Sequence, residues 1–190
     1  LTGEDHVEGW MNPEHPIILS FHSPAVDLVL SDTDANADAI EQNNNRRANV
    51  TLNGRTLSKS GEWNTLCLPF SMNAGQIAAS DLAGATIKEL NTSESNLDAN
   101  GQLMLSFSTV YNGTAFADGA TQLNARTPYI VKWATTDDDI VNPVFQGVTI
   151  DATAPTAVTF ANNANAGGDC QFVGQYSPFT IDNSNINSVI

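Results

Sequence analysis

Residues 54–70, GRTLSKSGEWNTLCLPF, contain the pattern that decides the fold. After the polar loop at 58–61, successive side chains alternate between two faces, as they do along an extended strand. The mostly apolar face consists of Asn64, Leu66, Leu68 and Phe70. The stretch therefore predicts a strand with one face in the core and with Trp63 and Thr65 on the other face. The loop at 58–61 is expected to join this strand to the preceding one as a hairpin.

Short strands separated by turn residues are predicted along most of the chain. They are expected at 16–21, 25–30, 50–57, 63–70, 85–90, 102–108, 127–133, 143–150, 157–160, 170–176 and 178–181. One short helix is predicted within 71–82, with Asn73 as its N-cap, and residues 31–45 are expected to form a polar loop. About ten short strands with one helix indicate an all-β fold, an antiparallel β-sandwich or a jelly roll.

Composition sets the domain organisation and excludes several classes of partner. The 190 residues include 7 Lys and Arg against 21 Asp and Glu, a formal net charge of −14. This charge disfavours nucleic acid, whose recognition needs clustered cations, and no apolar run reaches the roughly 18 residues of a membrane span. We expect an irregular arm with a first strand at 1–27 and a single β-sandwich domain at 28–190.

Three acidic residues are candidates for a calcium site. Asp32, Asp34 and Asp38 lie, with Asn36, at every second position, and carboxylates on a curled backbone can converge on one hard cation. The pattern then departs from a calcium loop, because the sixth position is Ala37 rather than glycine and the twelfth is Asn43 rather than glutamate. A solvated acidic loop is the alternative interpretation.

The sequence contains no recognisable catalytic constellation. His6, His15 and His22 lack zinc-site spacing, and there is neither a nucleophile elbow nor a glycine-rich phosphate loop. Cys67 and Cys170 are interpreted as buried thiols, since sequence alone cannot establish a disulfide. A glycan-active hydrolase stays an alternative, because two carboxylates from distant strands can form an acid pair.

Aromatic side chains are the remaining candidates for ligand binding, because flat rings can stack on the apolar faces of sugars. Trp10 and Tyr111 lie in predicted loops and are expected to be exposed. Trp63 is a further candidate on the face turned away from the core, where it is either exposed or covered by a loop, and we expect it to be covered. Trp133 alternates with Lys132 and is predicted to belong to the core.

Several motifs together resemble a domain that is common near the C-terminus of secreted or surface proteins of gut Bacteroidales. The resemblance covers about residues 28–182 and is carried by LSD (30–32), VTL (50–52), GRTL (54–57), WNTLCLPF (63–70), TPYIVKW (127–133), NPVF (142–145), GVTI (147–150), FVG (172–174) and YSP (176–178). It implies an exported, outer-membrane-associated or secreted protein and no established activity or site residue. It also implies strands beyond residue 190, whose absence would leave an edge that another chain could pair with.

These observations predict an exported non-enzymatic surface domain that supports adhesion or glycan capture. Its expected partner is a glycan or a host or microbial surface component, with no cofactor other than the calcium considered above. The domain is expected to be a monomer or an oligomer formed through an edge strand. A structural spacer or terminal domain of a larger repeat-containing surface protein is the alternative function.

Overall fold

Strands dominate the computed structural model, which describes residues 24–134, 137–164 and 168–179. The elements in chain order are β1 (Val26–Ser31), α1 (Ala37–Gln42), β2 (Arg47–Asn53), β3 (Thr56–Leu57), β4 (Asn64–Cys67), β5 (Met72–Asn73), α2 (Ala74–Ala78), β6 (Thr86–Leu90), β7 (Asn96–Leu97), β8 (Leu103–Met104), β9 (Phe107–Asn112), β10 (Gln122–Leu123), β11 (Pro128–Lys132), β12 (Ile140–Val141), β13 (Val144–Thr149), β14 (Val158–Asn162) and β15 (Cys170–Phe172). The predicted all-β class is confirmed, with more and shorter strands than expected. The predicted strand at 102–108 is divided between β8 and β9.

The strands form three larger sheets and two short pairs. One sheet has the order β1-β2-β13, the second β4-β11-β6-β9 and the third β15-β14-β7-β8, while β10 pairs with β5 and β12 with β3. Most strand pairs are antiparallel, as expected, whereas β1 pairs with β2, and β14 with β7, in parallel. The arrangement of the sheets as a sandwich or jelly roll stays a prediction.

One buried apolar cluster joins the first two sheets. Leu28 and Val50 contribute from the three-stranded sheet, and Leu66 and Val131 from the β4-β11-β6-β9 sheet. Beyond β4, the buried ring of Phe70 lies 5.3 Å from that of Phe145 on β13, measured between centroids. The prediction that Leu66, Leu68 and Phe70 share the core face is confirmed. The opposite face of β4 is therefore turned away from this cluster.

The predicted hairpin around residues 58–61 is wrong. β3 pairs with β12 and β4 pairs with β11, so the strands on either side of the loop belong to different sheets. Gly54, with φ +85°, follows the end of β2. The Asn64 side chain closes the loop by accepting from the Ser58 N–H at 2.8 Å and donating to the Ser58 carbonyl at 2.9 Å. Hydrogen bonds from the Asn64 side chain, and not pairing between β3 and β4, therefore hold the loop closed.

Two short helices flank the strands. The predicted Asn73 cap of α2 is confirmed: its side chain accepts from the Gln76 N–H, and the Gln76 side chain accepts from the Asn73 N–H. The expectation that residues 31–45 form only a loop is wrong, because α1 lies within them and buries Ile40. A helix of six residues with one buried side chain is too short to produce a helical periodicity in the sequence.

Some predictions lie outside the described residues. These are the arm and strand at 16–21, the three histidines, Trp10 and residues 180–190. Within the described residues, none of the helices has the length and hydropathy of a membrane span.

Candidate functional site

The face of the β4-β11-β6-β9 sheet turned away from the core presents a row of side chains across four strands. Thr65 pairs with Ile130, Ile130 with Lys88 and Lys88 with Thr109. Directly paired residues point to the same side of a sheet. Trp63 immediately precedes β4, and the same alternation places it on this side with Thr65. We call the surface of Trp63, Thr65, Lys88, Thr109, Ile130 and Lys132 the Trp63 face.

Trp63 is the exposed aromatic of this surface. It is 42% exposed, so the expectation that a loop covers it is wrong. The Nζ atoms of Lys88 and Lys132 lie 5.4 Å and 5.6 Å from the centroid of its ring. Each is a cation–π contact, worth about 0.5–1 kcal/mol at an exposed site. The indole is therefore in contact with two ammonium groups, and part of its surface remains exposed to solvent.

Among the described residues, no ion pair neutralises the positive charges beside Trp63. Among the described residues, ion pairs join Lys59 to Asp137 at 3.0 Å and Arg55 to Asp32 at 3.9 Å, and none involves Lys88 or Lys132. Two of the chain's three lysines thus lie at one ring in a protein whose net charge is −14. The Trp63 face thus brings two ammonium groups to one ring on an acidic protein.

The other end of this sheet is covered. Cys67 pairs with Pro128, and Gly174 packs so closely on Cys67 that a Cβ at position 174 would lie 2.8 Å from the Cys67 Cβ. The ring of Phe172 meets that of Phe107 edge-on at 6.0 Å between centroids. The segment around residues 172–174 therefore limits the open surface to the end that carries Trp63.

Both cysteines are free, half-buried thiols. Burial raises the pKa of the Cys67 thiol from 9.0 to about 12. A thiol that is almost fully protonated at neutral pH is a poor nucleophile. Cys67 therefore acts here as a packing residue.

A cavity of about 550 Å³ lies along β4, between the ends of β1 and β2 and residues 172–179. Arg55 donates from its Nη2 to the Thr65 carbonyl at 2.7 Å and lies 3.9 Å from Asp32. Among the described residues that line this cavity, Asp32 is the single carboxylate. A glycoside hydrolase needs two carboxyl groups about 5–9.5 Å apart, and the described lining residues do not include such a pair.

Asn36 joins two segments of the cavity wall through hydrogen bonds, and the sequence did not indicate this role. Its side chain accepts from the Ser31 N–H at 2.8 Å and donates to the carbonyls of Ser31 at 2.8 Å and Tyr176 at 2.5 Å. Its own N–H donates to the Ser177 hydroxyl at 2.9 Å. Asn36 is 4% exposed, yet in the sequence it is one more polar residue in an acidic run, with no signal of burial.

The three predicted calcium ligands are engaged in different contacts. Asp34 accepts from the Ser31 hydroxyl at 2.9 Å, Asp38 lies in the first turn of α1, and Asp32 faces Arg55. Throughout the part of the chain that the structure describes, no three His, Cys, Asp or Glu side chains are grouped as a metal site. The structure therefore does not bring these carboxylates together.

The remaining aromatic predictions have mixed outcomes. Tyr111 is 2% exposed in β9, and its ring packs at 5.1 Å against that of Phe116, so its prediction as an exposed loop aromatic is wrong. Trp133 is confirmed as a core residue, and its indole N–H donates to the Ala83 carbonyl at 3.0 Å. Trp63 is thus the candidate whose ring the structure leaves accessible.

Comparisons of the chain with protein-family models, with curated proteins and with solved structures found no match. The resemblance to a surface domain of gut Bacteroidales therefore stays a prediction. The geometry of the Trp63 face is the observation that bears on function.

Proposed function

We propose that this protein is an exported, non-enzymatic surface domain that captures glycans through the Trp63 face. The observation that carries the proposal is the exposed Trp63 indole on an open sheet surface. Export and surface attachment follow from the motif resemblance, and the low content of charged residues, 15%, supports them.

The Trp63 face combines the two kinds of group that a sugar needs. An indole ring offers a large, rigid apolar surface against which the C–H groups of a pyranose can pack. The exposed hydroxyls of Thr65 and Thr109 and the ammonium groups of Lys88 and Lys132 offer polar contacts to sugar oxygens. Thr65 and Thr109 are separated by three strand spacings, about 14 Å. This width suits a short stretch of an oligosaccharide.

A glycan array with the 190-residue chain tests the proposal, followed by calorimetric titration of any glycan that binds. Trp63→Ala is expected to weaken binding by about tenfold or more, because the stacking surface is lost. The matched control is Val141→Ala, which truncates another exposed apolar side chain, 65% exposed and on β12. Val141→Ala should bind like the unaltered chain.

Two results would contradict capture at this face. One is a bound glycan whose affinity is the same for the unaltered chain and for Trp63→Ala. The other is an array with no binding to plant, host or microbial glycans, which would instead favour the structural spacer.

A further inference from the structure

We propose that the Trp63 face selects anionic saccharides, in which the sugar carries a carboxylate or a sulfate. This inference rests on the proposed function and adds the chemical class of the ligand. Its basis is the position, at one exposed ring, of two ammonium groups that have no ion-pair partner among the described residues.

The geometry allows a single ligand to reach the ring and both cations. Lys88 and Lys132 lie on the same side of the sheet, and both Nζ atoms are within 6 Å of the Trp63 centroid, at 5.4 Å and 5.6 Å. Both ammonium groups lie over the ring, so a pyranose can stack only on the part of the indole that they leave exposed, and its substituents would then lie next to them. Lysine is a point charge with three donors, which suits either a carboxylate or a sulfate oxygen.

Electrostatics favours an anion at this position despite the acidity of the whole chain. In the described part of the chain, no carboxylate forms an ion pair with either ammonium group. An anionic group bound at the ring would therefore be attracted by both cations. Charges farther from the ring than the Debye length, about 8 Å at physiological ionic strength, are largely screened there. The local cations therefore determine which ligands bind.

The charge pattern also argues against nucleic acid as the anion. Affinity for a nucleic acid backbone grows with the number of phosphates that cations neutralise, and this face has two cations on a protein of net charge −14. A sugar with one acidic group, in contrast, can place its anion beside the two lysines and pack its ring on Trp63.

Calorimetric titration with three oligosaccharides tests the inference. The probes are oligogalacturonate, which carries carboxylates, a sulfated galactan oligosaccharide and a neutral galactan oligosaccharide of the same length. Polyglutamate serves as an anion without a sugar. We expect either or both acidic saccharides to bind at least about tenfold more tightly than the neutral one, with affinity falling as salt rises from about 0.05 to about 0.2 M because charge pairs are screened.

Lysine variants assign the selectivity to residues. Lys88→Gln and Lys132→Gln should each weaken binding of the acidic saccharide several-fold, and the double variant should bind acidic and neutral saccharides alike. The matched control is Lys59→Gln, whose lysine pairs with Asp137 instead of facing Trp63. Circular dichroism melts establish that each variant is folded.

The outcomes separate this inference from the proposed function. Equal binding of neutral and acidic saccharides that Trp63→Ala abolishes and the lysine variants leave unchanged would overturn the charge selectivity and support glycan capture. Polyglutamate binding as tightly as the acidic saccharides would overturn selection of a sugar. Absence of binding to all three oligosaccharides and to every glycan on the array would overturn both proposals.

Discussion

Replacing Asn36 by alanine should destabilise the protein more than any ordinary surface substitution. The change removes three side-chain hydrogen bonds, those to the Ser31 N–H, the Ser31 carbonyl and the Tyr176 carbonyl. Each buried group left without a partner costs about 1–3 kcal/mol, less where water can enter. Since Asn36 is 4% exposed and its partners are only partly buried, we expect a loss of about 3 kcal/mol in the free energy of unfolding.

That loss is large compared with the roughly 5–15 kcal/mol that stabilises a typical domain. For a chain of this length it corresponds to a fall in Tm of about 6–12 °C. Urea unfolding followed by circular dichroism measures the free energy. Hydrogen exchange measures the local effect, because the Ser31 amide loses its acceptor and should exchange faster. Asn53→Ala is the control, since Asn53 is exposed at the end of β2 and makes no side-chain hydrogen bond among the described residues.

Asn36→Asp separates the donor contribution from simple truncation. The aspartate keeps an acceptor for the Ser31 N–H but cannot donate to the two carbonyls when ionised, and its charge would face their oxygens. We expect it to be at least as destabilising as alanine at pH 7 and to recover part of the loss below pH 4, where the protonated carboxyl can donate once. Unfolding curves of Asn36→Ala that coincide with those of Asn53→Ala would refute this account.

Three further predictions concern Cys67 and the acidic loop. Gly174→Ala should lower the free energy of unfolding by about 1–3 kcal/mol, because the added Cβ would overlap Cys67. Adding Cys67→Ala should recover part of that loss, as measured by urea unfolding. Additive losses in the double variant would contradict the overlap. The raised pKa of the Cys67 thiol, from 9.0 to about 12, should slow its alkylation by iodoacetamide at pH 8 by more than about tenfold relative to the urea-unfolded chain, and similar rates measured by mass spectrometry would argue against burial. Thermal melts in millimolar calcium and in chelator should coincide, because the three predicted ligands lie apart, whereas a higher Tm with calcium would reveal a site.

Local pattern was enough to predict several elements of the fold. The alternation in residues 63–70 places Leu66 in the core, the alternation in 127–133 places Trp133 there, and Asn73 caps α2 as its spacing with Gln76 requires. In each case the signal comes from residues within one strand or one helical turn, where side-chain direction follows from backbone geometry. Strand parity also placed Trp63 on the face turned away from the core.

Pairing between distant segments was not predictable in the same way. The loop at 58–61 looked like a hairpin, yet β3 pairs with β12 and β4 with β11. Tyr111 precedes an Asn-Gly turn and looked exposed, but the chain returns after that turn and packs Phe116 on its ring. The pairing of β3 and β4 and the burial of Tyr111 both depend on contacts between distant segments, which local residue patterns do not specify.

The sequence by itself determined that this is an acidic, strand-rich protein and that residues 63–70 contain a strand with one core face, because composition and a two-residue period are local properties. Only the tertiary structure decided that Trp63 remains open and that Lys88 and Lys132, from two other strands, lie beside its ring. It also decided that Asn36 is buried against residues 176–177. The physical reason is the same for each. Strand register and the packing of distant segments determine which residues are neighbours across a sheet or a cavity, and the residues adjacent in the sequence do not specify these neighbours.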